Sequence, residues 1–191
     1  CWQISGTYML DLLRSLRDTG SKMQIISLGS KPEDLAPMAQ VGCLGVAHHG
    51  ELTDRLFKTG KLDQVHEFLK RVRDSGMQVG VSTHMPAVVD LVESEGWDVD
   101  FYMCCVYERH RTREELKALL GDVPLPVKEV YLEGDPPRMF RAIRQTNKPC
   151  LAFKILAAGR LCDRQEWVEQ AFESTFRQIK ANDAVIVGMY P

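Results

Sequence analysis

Several apolar runs in this chain end in residues that can do chemistry. The run ending at Ala47 leads into His48, His49 and Gly50, and another ends in Ser82, Thr83 and His84. A third, residues 99–106, contains Cys104 and Cys105 and leads to Tyr107 and Glu108. Lys154 lies inside Leu151-Ala152-Phe153-Lys154-Ile155-Leu156, with Gly159 and Arg160 beyond it. Gln3 and Tyr8 stand near the start, and Ser27 closes another run. Imidazole is the side chain best suited to exchanging protons near neutral pH. Histidine with cysteine or carboxylate can also ligate a transition metal. Side chains alternate along a strand, so one of His48 and His49 must point away from a shared site. A lysine inside an apolar strand either snorkels out or points inward. If inward, it needs an anion or a lowered pKa, and a desolvated lysine can form a Schiff base. Cys104 and Cys105 also have a plain reading as packing residues.

The elements that must position these residues alternate. Strands are expected at residues 23–28, 43–47, 78–82, 99–106, 150–156 and 184–188, with a further one ending at Gln3. Helices are expected at 6–18, across 62–72, after Pro86, from 112 to 120, from 135, and across 167–179. Leu62, Val65, Phe68, Leu69 and Val72 recur at helical spacing. Thr112-Arg113-Glu114-Glu115 reads as a capping box. Alternating strands and helices predict a parallel sheet, and near-continuous apolar strands predict a sheet covered on both faces. The expected fold is α/β: a parallel (β/α)8 TIM barrel spanning 1–191 as one domain, incomplete at both ends. It lacks the first strand and last helix, so the native polypeptide is expected to continue. An insertion interrupts it at about 108–133. An open doubly wound sheet is the runner-up, weakened because no G-x-G-x-x-G follows a strand. In such barrels the site lies at the C-terminal strand ends, where all the residues above fall.

The totals exclude several classes. The chain has 191 residues and a formal net charge of -2, which argues against nucleic acid or an anionic membrane held by bulk charge. No apolar run reaches the roughly 18 residues that span a bilayer. Six cysteines without C-x-x-C spacing read as reduced thiols of a cytoplasmic protein.

Taken together, six segments resemble the aldo/keto reductase superfamily. Cys1-Trp2-Gln3-Ile4-Ser5-Gly6-Thr7-Tyr8 is similar to its segment that opens aromatic-Asp-Thr-Ala and reaches the catalytic Tyr five residues after the Asp, with Gln3 in place of Asp and Tyr8 in place of that Tyr. Gly45 to Gly50 resembles the strand ending in its catalytic His, matched by His49. Gly80-Val81-Ser82-Thr83-His84, Asp98 to Tyr107, Phe153 to Arg160 and Asp183 to Met189 resemble later strand ends. The resemblance implies an NAD(P)-dependent oxidoreductase acting on a carbonyl or alcohol of a small molecule. Tyr8, His49 and Gln3 would be catalytic. Ser82, Thr83, Cys104, Tyr107, Lys154, Gly159 and Arg160 would hold NADP or NAD. The family's Asp is Gln3 here, and its Lys position falls at Ser27-Leu28. Two of four catalytic residues are therefore altered, and an unassisted Tyr with a pKa of about 10 is a poor acid. Three other readings stay open. Three of His49, His84, His110, Cys104 and Glu108 can bind a metal; Lys154 can act as a Schiff-base amine; or the barrel can have lost its reaction.

Overall fold

The computed structural model describes residues 2–5, 9–121 and 129–188. In chain order the elements are β1 (Trp2–Ser5), α1 (Leu10–Asp18), β2 (Ile25–Gly29), α2 (Leu35–Gln40), β3 (Gly45–His48), α3 (Gly50–Lys58), α4 (Asp63–Asp74), β4 (Gln78–Thr83), α5 (Pro86–Ser94), β5 (Phe101–Cys105), α6 (Arg113–Leu120), α7 (Asp135–Gln145), β6 (Cys150–Phe153), α8 (Gln165–Gln178) and β7 (Ala184–Ile186). All seven strands are parallel and lie in sequential order. No strand order reverses, so the doubly wound alternative, which needs a switch point, does not describe this sheet.

Strand alternation divides the core in two. Ile25, Val46, Val79, Val81, Tyr102, Cys104 and Ala152 pack with helix residues such as Leu13, Phe68, Val88 and Ile143. The residues between them on the strands form a second cluster: Ile26, Ala47, Phe101 and Met103, joined by Leu28, Leu151, Phe153 and Ile186. That cluster holds strand residues alone. Helices thus cover one face, and the other face packs on itself. Gln3 of β1 and Ile26 of β2 line one cavity together with Ala184 and Ile186 of β7. A flat sheet would separate β1 from β7 by roughly 29 Å at ~4.8 Å per strand, so this sheet is curled. The architecture is an α/β half-barrel. Among the described residues β1 and β7 are unpaired edges, so the expected closed eight-stranded barrel is reduced to this coarser statement.

Two glycines make the concave core possible. A Cβ on Gly80 would lie 2.4 Å from Cζ of Phe101, and one on Gly45 would lie 3.0 Å from Cε1 of the same ring. Phe101 therefore occupies the space that side chains on β3 and β4 would take. Gly80→Ala is expected to cost about 1–3 kcal/mol through overpacking. Urea unfolding should show a lower midpoint at unchanged slope; an unchanged midpoint would mean the ring is free to move.

The sequence expectation missed α3. Its buried residues are Gly50, Thr53 and Asp54, which present no apolar stripe. No helix among the described residues is long and apolar enough to cross a membrane.

Candidate functional site

The alternation along β3 separates the two histidines. His48 is buried on the helix-covered face, its ring edge-on to Phe68 of α4 at 5.3 Å, with Nδ1 2.7 Å from Thr53 Oγ1. Burial, with neighbouring His49 as a lesser cause, lowers its pKa to about 4. His48 is thus a neutral packing residue. The unfolded chain takes up this proton near 6.5, whereas the native state resists until about 4. Stability is therefore full above about pH 6.5 and is lost progressively as the pH falls toward 4, by up to about 3 kcal/mol. His48→Gln should remove that part of the slope in unfolding measured across this range; an unaltered slope would assign the acid sensitivity elsewhere.

His49 turns the other way. It precedes α3 with extended backbone and lines a rim cavity of about 410 Å³ with Glu51, Asp54, Arg55, Lys58 and His110. One turn into α3, Asp54 is 1% exposed and faces the end of β4. Its Oδ2 lies 2.6 Å from His84 Nδ1, its Oδ1 accepts from Thr83 Oγ1 at 2.5 Å, and both oxygens accept from His84 N–H at 3.2 Å. His110 completes the group from the loop after β5. Its ring stands edge-on to His84 with centroids 4.5 Å apart. One potential ligand atom from each of Asp54, His84 and His110 falls within 4.8 Å of the others.

Two features mark this trio as more than packing. His110 Nε2 is buried and has no hydrogen-bond partner, although buried polar atoms are nearly always paired. Burial, followed by the nearness of His84, lowers the His110 pKa below its ordinary value, which favours the neutral ring with a free lone pair. The second feature is Asp54 itself. A carboxylate this buried needs a compensating positive charge, and among the described residues its ion-pair partner is His84. A divalent cation between the three side chains would supply that charge and engage the orphaned nitrogen.

The loop bearing His110 is clamped from both sides. Arg111 donates to both oxygens of Asp135, to the Glu108 carbonyl and to Glu108 Oε2. Arg138 bonds Glu108 from α7 at 2.7 Å. Opposite, Lys58 of α3 donates to the His110 carbonyl at 3.0 Å and to Glu115. Glu115 and Thr112 form the expected capping box of α6. The helix that carries Asp54 and the loop that carries His110 are thereby tied together.

The expected site residues fall in several places. Tyr8 lies outside the described residues. Gln3 is on β1 and lines the large concave cavity of about 810 Å³ with Lys154 and Gly159. Ser82 is buried, and a Cβ on Gly50 would meet its Oγ at 2.9 Å; Thr83 is bonded to Asp54. Cys104 is fully buried on the helix side, where hydrogen bonding with Cys150 and burial raise its pKa. It is a protonated core thiol, not a rim ligand. Tyr107 is buried edge-on to Tyr131 at 5.1 Å. Glu108 belongs to the Arg111 cluster. Arg160 sits over the Tyr131 ring, 4.2 Å from guanidinium carbon to centroid. Of the five candidate metal ligands, the structure unites His84 and His110, sets His49 beside them, and adds Asp54, which sequence reading missed. Phe153 joins this rim to the large cavity, its ring 5.8 Å from that of His84.

No protein-family model and no curated protein matches the chain. Solved structures do. One is "the N-terminal domain of a putative aldolase from Bacteroides vulgatus", with a TM-score of 0.50 and 15% identity, covering 94% of this chain and 54% of that one. Another is "putative spore coat polysaccharide biosynthesis protein E from Chromobacterium violaceum ATCC 12472", with a TM-score of 0.40 and 12% identity, covering all of this chain and 50% of that one; at that score it carries no argument. The chain spans about half the length of each. The likeness at 15% identity shows a shared fold and nothing of activity.

The Bacteroides vulgatus structure is described as a putative aldolase and not as an aldo/keto reductase, and the resemblance inferred from sequence is corrected accordingly, together with the oxidoreductase function drawn from it. The six motifs shared a pattern that any parallel α/β sheet produces: an apolar strand, then polar residues at its C-terminal end. That pattern reports strand periodicity, and function does not follow from it.

Proposed function

We propose that this chain carries the active centre of a divalent-metal-dependent enzyme acting on a small molecule, with Asp54, His84 and His110 as the metal ligands. The observation that carries the reading is the buried, unpartnered His110 Nε2 beside a buried Asp–His pair. Two imidazoles and a carboxylate suit zinc, cobalt, manganese or iron(II), and three protein ligands leave a position open for substrate or water. When bound, the ion would act as a Lewis acid on a substrate oxygen. His49, in the adjoining cavity, would take a proton from the substrate and return it to the product. Thr83 orients Asp54. We read the curled sheet as the greater part of a (β/α)8 barrel, which puts this rim at the face where barrel enzymes work. The Bacteroides vulgatus structure is described as part of a putative aldolase. Carbon–carbon cleavage beside a carbonyl is one reaction that a Lewis acid with a neighbouring histidine can serve.

Calorimetric titration of EDTA-treated protein with Zn²⁺, Co²⁺ and Mn²⁺ tests this. One equivalent of at least one ion should bind with micromolar or tighter affinity, and His110→Ala should weaken it by at least about tenfold. Folded protein that binds none of the three would leave a barrel without metal chemistry.

A further inference from the structure

The loop after β6 has features that the metal centre does not explain. Lys154, Ala157 and Ala158 have φ of 60°, 49° and 52°, and among the described residues no other non-glycine side chain has left-handed backbone. Such conformations are costly and persist where the surroundings impose them, often at ligand clamps. Here the strain has a visible result. β6 ends at Phe153, which faces the concave side, so continued alternation would send Lys154 toward the helices. The left-handed turn instead brings Lys154 to line the concave cavity.

Two cations then share one tyrosine. Lys154 Nζ lies 3.4 Å from Tyr131 Oη, and the Arg160 guanidinium lies over the ring of the same residue. Among the described residues neither cation has a carboxylate partner; Arg160 donates to the Ala157 carbonyl and Lys154 to Tyr131. Tyr131 is itself fixed by donating to Glu129, which Arg109 pairs. Arg109 Nε is buried without a partner. Lys154 lines the concave cavity and Arg160 a second one with Tyr107 and Glu133, and both cations touch Tyr131. Positive charge held at a cavity without an ion-pair partner is what an anion site needs.

We infer that Lys154 and Arg160 form an anion-binding subsite beside the metal centre, and that the substrate is a small molecule bearing a carboxylate or phosphate. The subsite stands on its own geometry; only the view that the other end of this molecule meets the metal rests on the proposed function. Lys154 and Arg160 were expected to hold a nucleotide cofactor, and the subsite instead takes the acid group of the substrate.

The test uses the full chain, stripped of metal with EDTA, titrated separately with inorganic phosphate and with pyruvate. At least one anion should bind, with affinity falling as chloride is raised. Lys154→Met should weaken that binding by about tenfold or more, and Arg160→Met should weaken it measurably. The anion that binds identifies the acid group. Zinc titration of the same variants should match the wild type, which separates this subsite from the metal reading. Absence of binding to both anions, or equal binding in both folded variants, would overturn the proposal. So would a covalent adduct on Lys154 after borohydride treatment with pyruvate, which would make the lysine a Schiff-base nucleophile.

Discussion

Asp54→Asn is expected to weaken metal binding by at least about 10²-fold, beyond the range typical of losing a residue that merely supports a ligand. The amide keeps an oxygen that can accept from Thr83 and the His84 N–H, but it loses the charge that a cation needs. Asp54→Ala should do more. It strips the carboxylate acceptor from Thr83 Oγ1, from the His84 N–H and from His84 Nδ1. Breaking a buried pair by removing one member typically costs about 3–5 kcal/mol. Calorimetry and urea unfolding of the two variants separate the roles. The account requires the Asn variant to fold nearly as well as the wild type while binding metal poorly. An Asn variant that binds metal normally would make Asp54 a structural anchor of the β4–α5 turn.

Arg111→Ala carries the second large effect. Arg111 is 5% exposed at its side chain, and its partner Asp135 is 4% exposed. Removing the guanidinium leaves the Asp135 and Glu108 carboxylates crowded together, with Arg138 as the remaining cation. A loss of about 3–5 kcal/mol is expected, seen as a lower urea midpoint. The same change frees the backbone immediately after His110, so metal affinity should fall even under conditions where the variant is folded. Arg138→Ala, at the half-exposed edge of the cluster, serves as the control and should cost far less. Equal, small effects from both would show that the ion cluster does not hold this loop.

The sequence made the repeating strand–helix order legible because the period of two in strands and of 3.6 in helices is imposed by burial. Apolar residues along β4, β5 and α4 had to fall as they did. It also revealed that His48 and His49 cannot share a site; alternation demanded that, and only the register needed the structure. The position of Asp54 was hidden for a physical reason. The buried face of α3 is Gly50, Thr53 and Asp54, so the helix lacks the apolar stripe by which buried helices are recognised. A polar buried face directly after a pair of histidines was the available signal. His110 could be noted as a histidine near the rim, but its approach to His84 depends on Arg111, Glu108 and Asp135 closing over 24 residues and more. Such contacts leave no periodic trace. Lys154 stood out as a lysine in an apolar run, yet its turn into the cavity comes from a left-handed backbone that no lysine favours. The family resemblance misled because polar residues at strand ends are common to the whole architecture.

The most direct measurement is an anomalous difference map from crystals soaked in zinc and recorded at the zinc absorption edge. The account predicts one strong peak between Asp54, His84 and His110, about 2.0–2.2 Å from a carboxylate oxygen and from two imidazole nitrogens. A peak elsewhere, or no peak at saturating zinc with the three side chains unchanged, would contradict it.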